Sequence, residues 1–279
     1  MSVRLKIISV IISVTVLLSI TVYFVGSNIL LKDYLKIERE SVVEDLDRVN
    51  DAITNTTYQL DIKLSDWATW DDTYTFVQDK NKAYIKSNLT NVALDNLEIQ
   101  GMYFYDIKGK LIYSNTLENS PIASKSAEMY FSSHPDIITH NTLDSSKKGI
   151  ISLLEGNLFI ASRPIITSEG KGPIGGTIVF VKIIDSPEIK KVSQITNVSV
   201  SIFPVDSVLP DDIIAKKNLS QKNKYFVNVQ SPDVINGYSY IYDLNGKPIL
   251  ILETDAPRTI YKQGQNTTLT FMVIAFIFS

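Results

Sequence analysis

The sequence predicts an α/β protein: a long N-terminal helix, part transmembrane and part stalk or spine, then an antiparallel sheet and a small membrane-proximal α/β unit. Three observations point there. An apolar run opens the chain, a proline-free segment with a seven-residue repeat follows, and beyond Tyr84 short aromatic and β-branched runs alternate with turns. The 279 residues suffice for one large or two small domains. With 44% hydrophobic and 20% charged residues, the chain is neither disordered nor collagen-like. A net charge of −3, from 27 basic and 30 acidic residues, argues against a nucleic-acid partner. The absence of cysteine excludes disulfides, thiol nucleophiles and Cys-ligated zinc.

Ile7 to Val25 is a 19-residue stretch without charge. As a helix it spans roughly 28 Å, close to the hydrocarbon thickness of a bilayer. Arg4 and Lys6 precede it and favour a cytoplasmic N-terminus. A cleaved signal peptide is the competing reading, but the run is long for one, and Gly26-Ser27-Asn28 makes a poor cleavage site. The far end, Leu269 to Ser279, is apolar and about half a span long. It is expected to start a second transmembrane helix, cut short, in a chain that is a fragment of something longer. Residues 26 to 268 then lie outside the cytoplasm, on a protein of the cell membrane. Five N-x-S/T sequons, at Asn55, Asn88, Asn197, Asn218 and Asn266, are weak evidence for glycosylation, and 22 lysines against 5 arginines suggest a prokaryotic genome.

From residue 26 to about Thr73 there is no proline, and Leu46, Ile53, Leu60, Trp67 and Tyr74 recur every seven residues, flanked by Val42 and Val49. This predicts a helix from about Leu30 to Trp67, on the order of 55 Å long. It suits a stalk, a spine, or the seam of a parallel homodimer. An amphipathic helix packed on its own sheet fits the same stripe. The segments are expected as 1–27 for the first span, 28–76 for the stalk or spine, 77–196 for the main sheet, 197–262 for the smaller unit and 263–279 for the second span.

Ile99 to Tyr105, the turn at Asp106-Ile107-Lys108-Gly109, and Leu111 to Tyr113 predict a hairpin. Ser124 to Ser132 reads as a helix. Gly149 to Leu154, the turn Glu155-Gly156-Asn157 and Leu158 to Ile166 form a second hairpin, and Thr177 to Ile184 the next strand. Two strands, a helical connection and a three-stranded meander resemble the strand inventory of a PAS sheet. Ser186 to Ile195 is helical. Four strands follow at 198–203, 225–229, 238–242 and 249–253, with a turn at Asn245-Gly246. They form either a separate unit or an extension of the first sheet. A helix from Asp255 leads into the second span.

The most distinctive segment is Asp66-Trp67-Ala68-Thr69-Trp70-Asp71-Asp72-Thr73-Tyr74-Thr75-Phe76. With Ala161-Ser162-Arg163-Pro164-Ile165-Ile166 and Ser168 to Thr177, it resembles the signature of the fourth CHASE family, over about residues 45 to 200. That resemblance implies a PAS/Cache-like extracellular sensory domain between two transmembrane helices, reporting to a cytoplasmic kinase, cyclase, phosphodiesterase or chemotaxis module. It implies no catalytic residues.

Read as residues, Trp67, Trp70 and Tyr74 fall at i, i+3 and i+7, which puts three rings on one helical face and favours core packing. Asp66, Asp71 and Asp72 lie beside them; a structural cap to a neighbouring loop is favoured over a metal site. Arg163 is the one arginine between Arg48 and Arg258. Its fork of donors suits either a carboxylate-bearing ligand or a salt bridge to Asp66, Asp71 or Asp72. By analogy with Cache-type sensors, Tyr103, Tyr105 and Asp106 line the same pocket. His134 and His140 are too few for a metal site. No G-x-S-x-G, H-E-x-x-H or phosphate-loop pattern occurs, so no enzyme and no cofactor is expected. The sequence therefore points to the membrane-anchored sensory part of a receptor that binds a small molecule, an acidic one where Arg163 anchors it, as a homodimer. A membrane-anchored surface or adhesive protein is the alternative.

Overall fold

The computed structural model describes residues 3–25, 29–117, 120, 124–206, 217–220 and 222–277. Helix α1 (Val3–Val25) buries none of its residues and is, among the described residues, the one helix long and apolar enough to cross a membrane. Helix α2 (Leu31–Ala68) follows, 38 residues and roughly 57 Å in length. The seven-residue stripe is spent inside the chain. Val42, Leu46, Val49, Ile53 and Leu60 are all at most 6% exposed, so the homodimer seam expected along them is not available. An apolar row of that spacing serves a sheet as well as a second helix, and here it serves the chain's own core.

α2 ends where the backbone turns extended at Trp70 (φ −118°, ψ 128°) and the Ile166 N–H donates to the Ala68 carbonyl at 2.9 Å. α3 (Asp71–Asp79) starts beyond the break. Trp67, Trp70 and Tyr74 therefore do not share one helical face, contrary to the uninterrupted period. Three capped turns carry the chain on. Lys80 closes α3 in the left-handed region (φ 56°), Asn81 accepts from Tyr84 N–H to start α4 (Lys82–Asn88), and Thr90 accepts from Ala93 N–H to start α5 (Asn91–Leu97).

The main sheet contains β1 (Gly101–Asp106), β2 (Leu111–Thr116), β3 (Lys147–Leu153), β4 (Gly156–Ile165) and β5 (Gly176–Ile183), in the order β2-β1-β5-β4-β3, with antiparallel pairings throughout. α6 (Ser124–Ser133) and α7 (Pro135–Ile138) connect β2 to β3. One face of the sheet packs on these two helices. Tyr103, Tyr105, Val179, Val181, Ile160 and Ile151 bury themselves against Ala127, Phe131, Ile137 and Ile138. The opposite face, through Phe104 and Phe180, meets Phe76 and Trp67. Gly176 lies so close to the Tyr105 carbonyl that a Cβ there has no room. α8 (Ser186–Thr196) starts at Asp185, whose side chain accepts from Glu188 N–H at 3.0 Å, and ends at left-handed Asn197.

Four more strands, β6 (Ser199–Pro204), β7 (Tyr225–Val229), β8 (Val234–Tyr242) and β9 (Pro248–Pro257), form a separate sheet in the order β6-β9-β8-β7. This resolves the choice left open by the sequence: the strands do not extend the main sheet. The β8–β9 turn is held by Asp243, which accepts from the N–H groups of Asn245 and Lys247, both at 2.8 Å. α9 (Thr259–Ile277) begins only after Arg258. Asp255 lies in β9 rather than in the expected helix, because the strand's burial continues through Thr254.

The chain divides into two compact units that are discontinuous in sequence, unlike the contiguous segments read above. One contains Met1–Asp47, Leu209–Ser239 and Leu252–Ser279, the other Arg48–Val208 and Tyr240–Ile251. Within the first, α1 and α9 contact one another. Arg258 donates from Nε and Nη2 to Glu38 Oε2, both at 3.1 Å, and lies over the Tyr261 ring. Gly264 allows the helix backbone to lie on Tyr34, where a Cβ would come within 2.6 Å of the ring.

Candidate functional site

The sheet register sorts the predicted site residues by face. Side chains alternate along a strand, so Tyr103 and Tyr105 of β1 point the same way and Phe104 the other. Phe104 pairs with Ile178, and Ile178 with Arg163. Arg163 is therefore on the α2 face, and the two tyrosines are on the α6–α7 face. The common pocket expected for Arg163, Tyr103, Tyr105 and Asp106 is not formed. Asp106 serves its own turn, accepting from Lys108 N–H at 2.8 Å and Lys110 N–H at 2.9 Å.

On the α2 face, Arg163 forks onto Asp61 with Nε at 2.6 Å and Nη2 at 2.8 Å. Asp61 also accepts from Lys148 Nζ and Ser146 Oγ, each at 2.8 Å. Burial pushes the Asp61 carboxyl up, but the bonds from Arg163, Lys148 and Ser146 and the Arg163 charge outweigh it and hold the group below its ordinary value of 3.8. The salt bridge proposed for Arg163 thus exists, but with Asp61 rather than Asp66, Asp71 or Asp72. Asp61 lies in α2, five residues before Asp66 and outside the seven-residue stripe. Asp71 does cap a loop: its Oδ1 accepts from Ser168 N–H at 2.9 Å, and its own N–H donates to Ser168 Oγ at 3.1 Å. Trp67, Trp70, Tyr84 and Phe76 form a ring cluster, with Trp67 at 6.0 Å from Trp70 and Trp70 at 5.8 Å from Tyr84.

On the α6–α7 face, Tyr103 and Tyr105 are 0% and 1% exposed. Tyr103 Oη lies 3.3 Å from Thr116 Oγ1. Nearby, Glu128 Oε1 accepts from Ser114 Oγ at 2.7 Å and Ser124 Oγ at 3.0 Å. The Tyr105 hydroxyl is buried and, among the described residues, has no hydrogen-bond partner. Burial, then the neighbouring Tyr103 and Glu128 charges, push its phenol pKa up, so it keeps a proton to donate. A buried donor without a partner costs about 1–3 kcal/mol.

His140 occupies the same face. Ser162 Oγ spends its hydrogen on the Ile137 carbonyl at 2.7 Å, so His140 Nε2, 3.0 Å away, carries the proton and Nδ1 accepts from Ser145 Oγ at 2.8 Å. Burial, with the charges of Lys147 and Arg163, pushes its pKa down to about 4. It is a buried neutral histidine, although its sequence neighbours are mostly polar. Among the described residues, no group of three His, Asp or Glu side chains converges as a metal site requires.

The helix break around Trp67–Asp71, the Arg163 strand and the loop to Gly176 all lie within one matched domain. Residues 52–203, more than half the chain, match the CHASE4 domain. The chain belongs to the CHASE4 family. It is 26% identical over 217 residues to the methanogenesis regulatory histidine kinase FilI of Methanothrix harundinacea, covering 77% of this chain and 24% of the kinase. The chain thus spans about a quarter of that curated relative's length. The periplasmic domain of Vibrio cholerae LuxQ aligns with 77% of this chain and 99% of its own at 8% identity and a TM-score of 0.49. The Vibrio cholerae DctB sensor domain aligns with 81% of this chain and 98% of its own at 12% identity and a TM-score of 0.43. The CHASE4 domain here has a mixed α/β, PAS/Cache-like fold and is a ligand-sensing domain of the kind carried by signalling receptors.

Proposed function

We propose that this chain is the extracytoplasmic sensory part of a transmembrane receptor whose cytoplasmic output is a histidine kinase. The observation that carries the reading is the placement of the CHASE4 domain between α1 and α9, two helices that contact each other at the ends of the described chain. A sensor inserted between two such helices can move one against the other. In this reading Arg4 and Lys6 hold the N-terminus in the cytoplasm and α9 returns the chain to the membrane. The acidic ligand anchored by Arg163 loses its ground, because Asp61 already occupies that guanidinium and no arginine shares the tyrosines' face.

The reading is tested by joining the chain, after Ser279, to the kinase portion of FilI and measuring autophosphorylation in liposomes. A receptor predicts that Glu38→Gln, which breaks the Arg258 pair at the base of α9, changes the rate. A surface or adhesive protein, with no coupling between domain and output, predicts equal rates.

A further inference from the structure

A cleft opens on the α2 face of the main sheet, opposite the face that carries Tyr103 and Tyr105. It measures about 720 Å3 and is lined by one side of α2 that includes Asp51, Thr54 and Tyr58, by Lys148 to Ile150 of β3, and by Tyr240 to Tyr242 of β8. β3 is the edge strand of its sheet, so the cleft opens beside a strand without an outer partner in that sheet. Three tyrosines line it. Tyr58 is 51% exposed and Tyr242 37%, and Tyr240 stands edge-on to Tyr242 at 6.2 Å. Exposed rings around a concavity of this size offer apolar area that water covers poorly.

The charge at the cleft is the second observation. Lys148 Nζ lies 5.4 Å from the Tyr58 ring and 2.8 Å from Asp61. Asp61 is held by both oxygens of its carboxylate in the Arg163 fork. One carboxylate therefore answers two cations, and the trio keeps one positive charge. Arg163 takes the fork, so the surplus is expressed at Lys148, the more exposed cation, which borders the cleft. The cleft's one carboxylate, Asp51, is on an exposed position of α2.

We infer that this cleft binds a small organic monoanion with a flat apolar body, an aromatic carboxylate in its simplest form, with the carboxylate on Lys148 and the ring among Tyr58, Tyr240 and Tyr242. The inference goes beyond the sensory reading and rests on it only in assigning the bound anion a purpose.

Benzoate, benzyl alcohol and benzylammonium are titrated into the full chain in nanodiscs, with tyrosine ring resonances and calorimetry as readouts. Benzoate is expected to bind saturably and shift the Tyr240 and Tyr242 resonances. Lys148→Gln should weaken it roughly tenfold, the scale of one charged hydrogen bond. Lys148→Arg should retain most of the affinity, and Tyr242→Ala, at a half-exposed position, should weaken binding without loss of fold. Benzyl alcohol and benzylammonium should bind more weakly than benzoate. The inference is overturned if folded wild-type chain binds no benzoate, if Lys148→Gln binds it unchanged, or if benzylammonium binds better. Each readout is binding, not output, so the sensory reading and this one fail separately.

Discussion

Asp61→Asn removes the group on which Arg163, Lys148 and Ser146 converge. Asn leaves one oxygen to accept and turns an amide donor toward two cations. Removing one partner of a fully buried pair costs about 3–5 kcal/mol. Here the Arg163 and Lys148 side chains are 23% and 35% exposed, so water recovers part of the loss. About 3 kcal/mol is the expected cost. For a unit of this size that is a fall in Tm of roughly 6–12 °C. The assay is intrinsic fluorescence: the only two tryptophans, Trp67 and Trp70, are in the unit concerned, and Trp67 packs on Phe180 of β5. The pH dependence follows from the sign. Asp61 has a folded pKa below its unfolded one, so its contribution is complete above the unfolded value near 4 and is lost as pH falls through the lower folded value. The gap between wild type and Asp61→Asn should be constant from pH 7 to about 4 and narrow below. A Tm within 1 °C of wild type, or a gap that narrows well above pH 5, refutes the reasoning.

His140 is neutral in the fold with its pKa pushed down to about 4, below its unfolded value, so wild type should lose stability as pH falls from about 6.5 toward 4 at about 1.4 kcal/mol per pH unit. His140→Gln should flatten that slope in denaturant titrations at pH 7 and pH 4.5. Gly176→Ala should lower Tm by more than any other single methyl addition in β5, because the Tyr105 carbonyl occupies the space; circular dichroism melts measure it. Arg258→Met should leave the buried Glu38 carboxylate without its fork and speed amide exchange in the first turns of α9, read by hydrogen–deuterium exchange.

Much of this was legible because periods and turns are local. The strand runs, the Asp106–Gly109 and Asn245–Gly246 turns and the long helix follow from side-chain alternation, positive-φ glycines and the missing prolines. What was not legible depends on partners distant in sequence. The heptad stripe gave the apolar face of α2 but not what covers it. The break at Trp70 depends on Ile166 taking the Ala68 carbonyl, 98 residues away by numbering. Arg163 stood out by its rarity, but its partner Asp61 did not, because a single aspartate off the stripe looks like any solvent charge until β4 arrives beside it. Tyr103 and Tyr105 were placed beside Arg163 by analogy with Cache-type sensors, whereas side-chain alternation, once β5 sets the register, puts Arg163 on the opposite face.

The central claim, a sensor outside the cytoplasm on a membrane-held chain, is tested most directly by cysteine accessibility. The chain has no cysteine, so single introductions report cleanly. Asn115→Cys is on β2 of the CHASE4 domain and Ser2→Cys precedes α1. In intact cells an impermeant maleimide should label Asn115→Cys and leave Ser2→Cys unlabelled until the membrane is opened. Labelling of Ser2→Cys alone in intact cells contradicts the account.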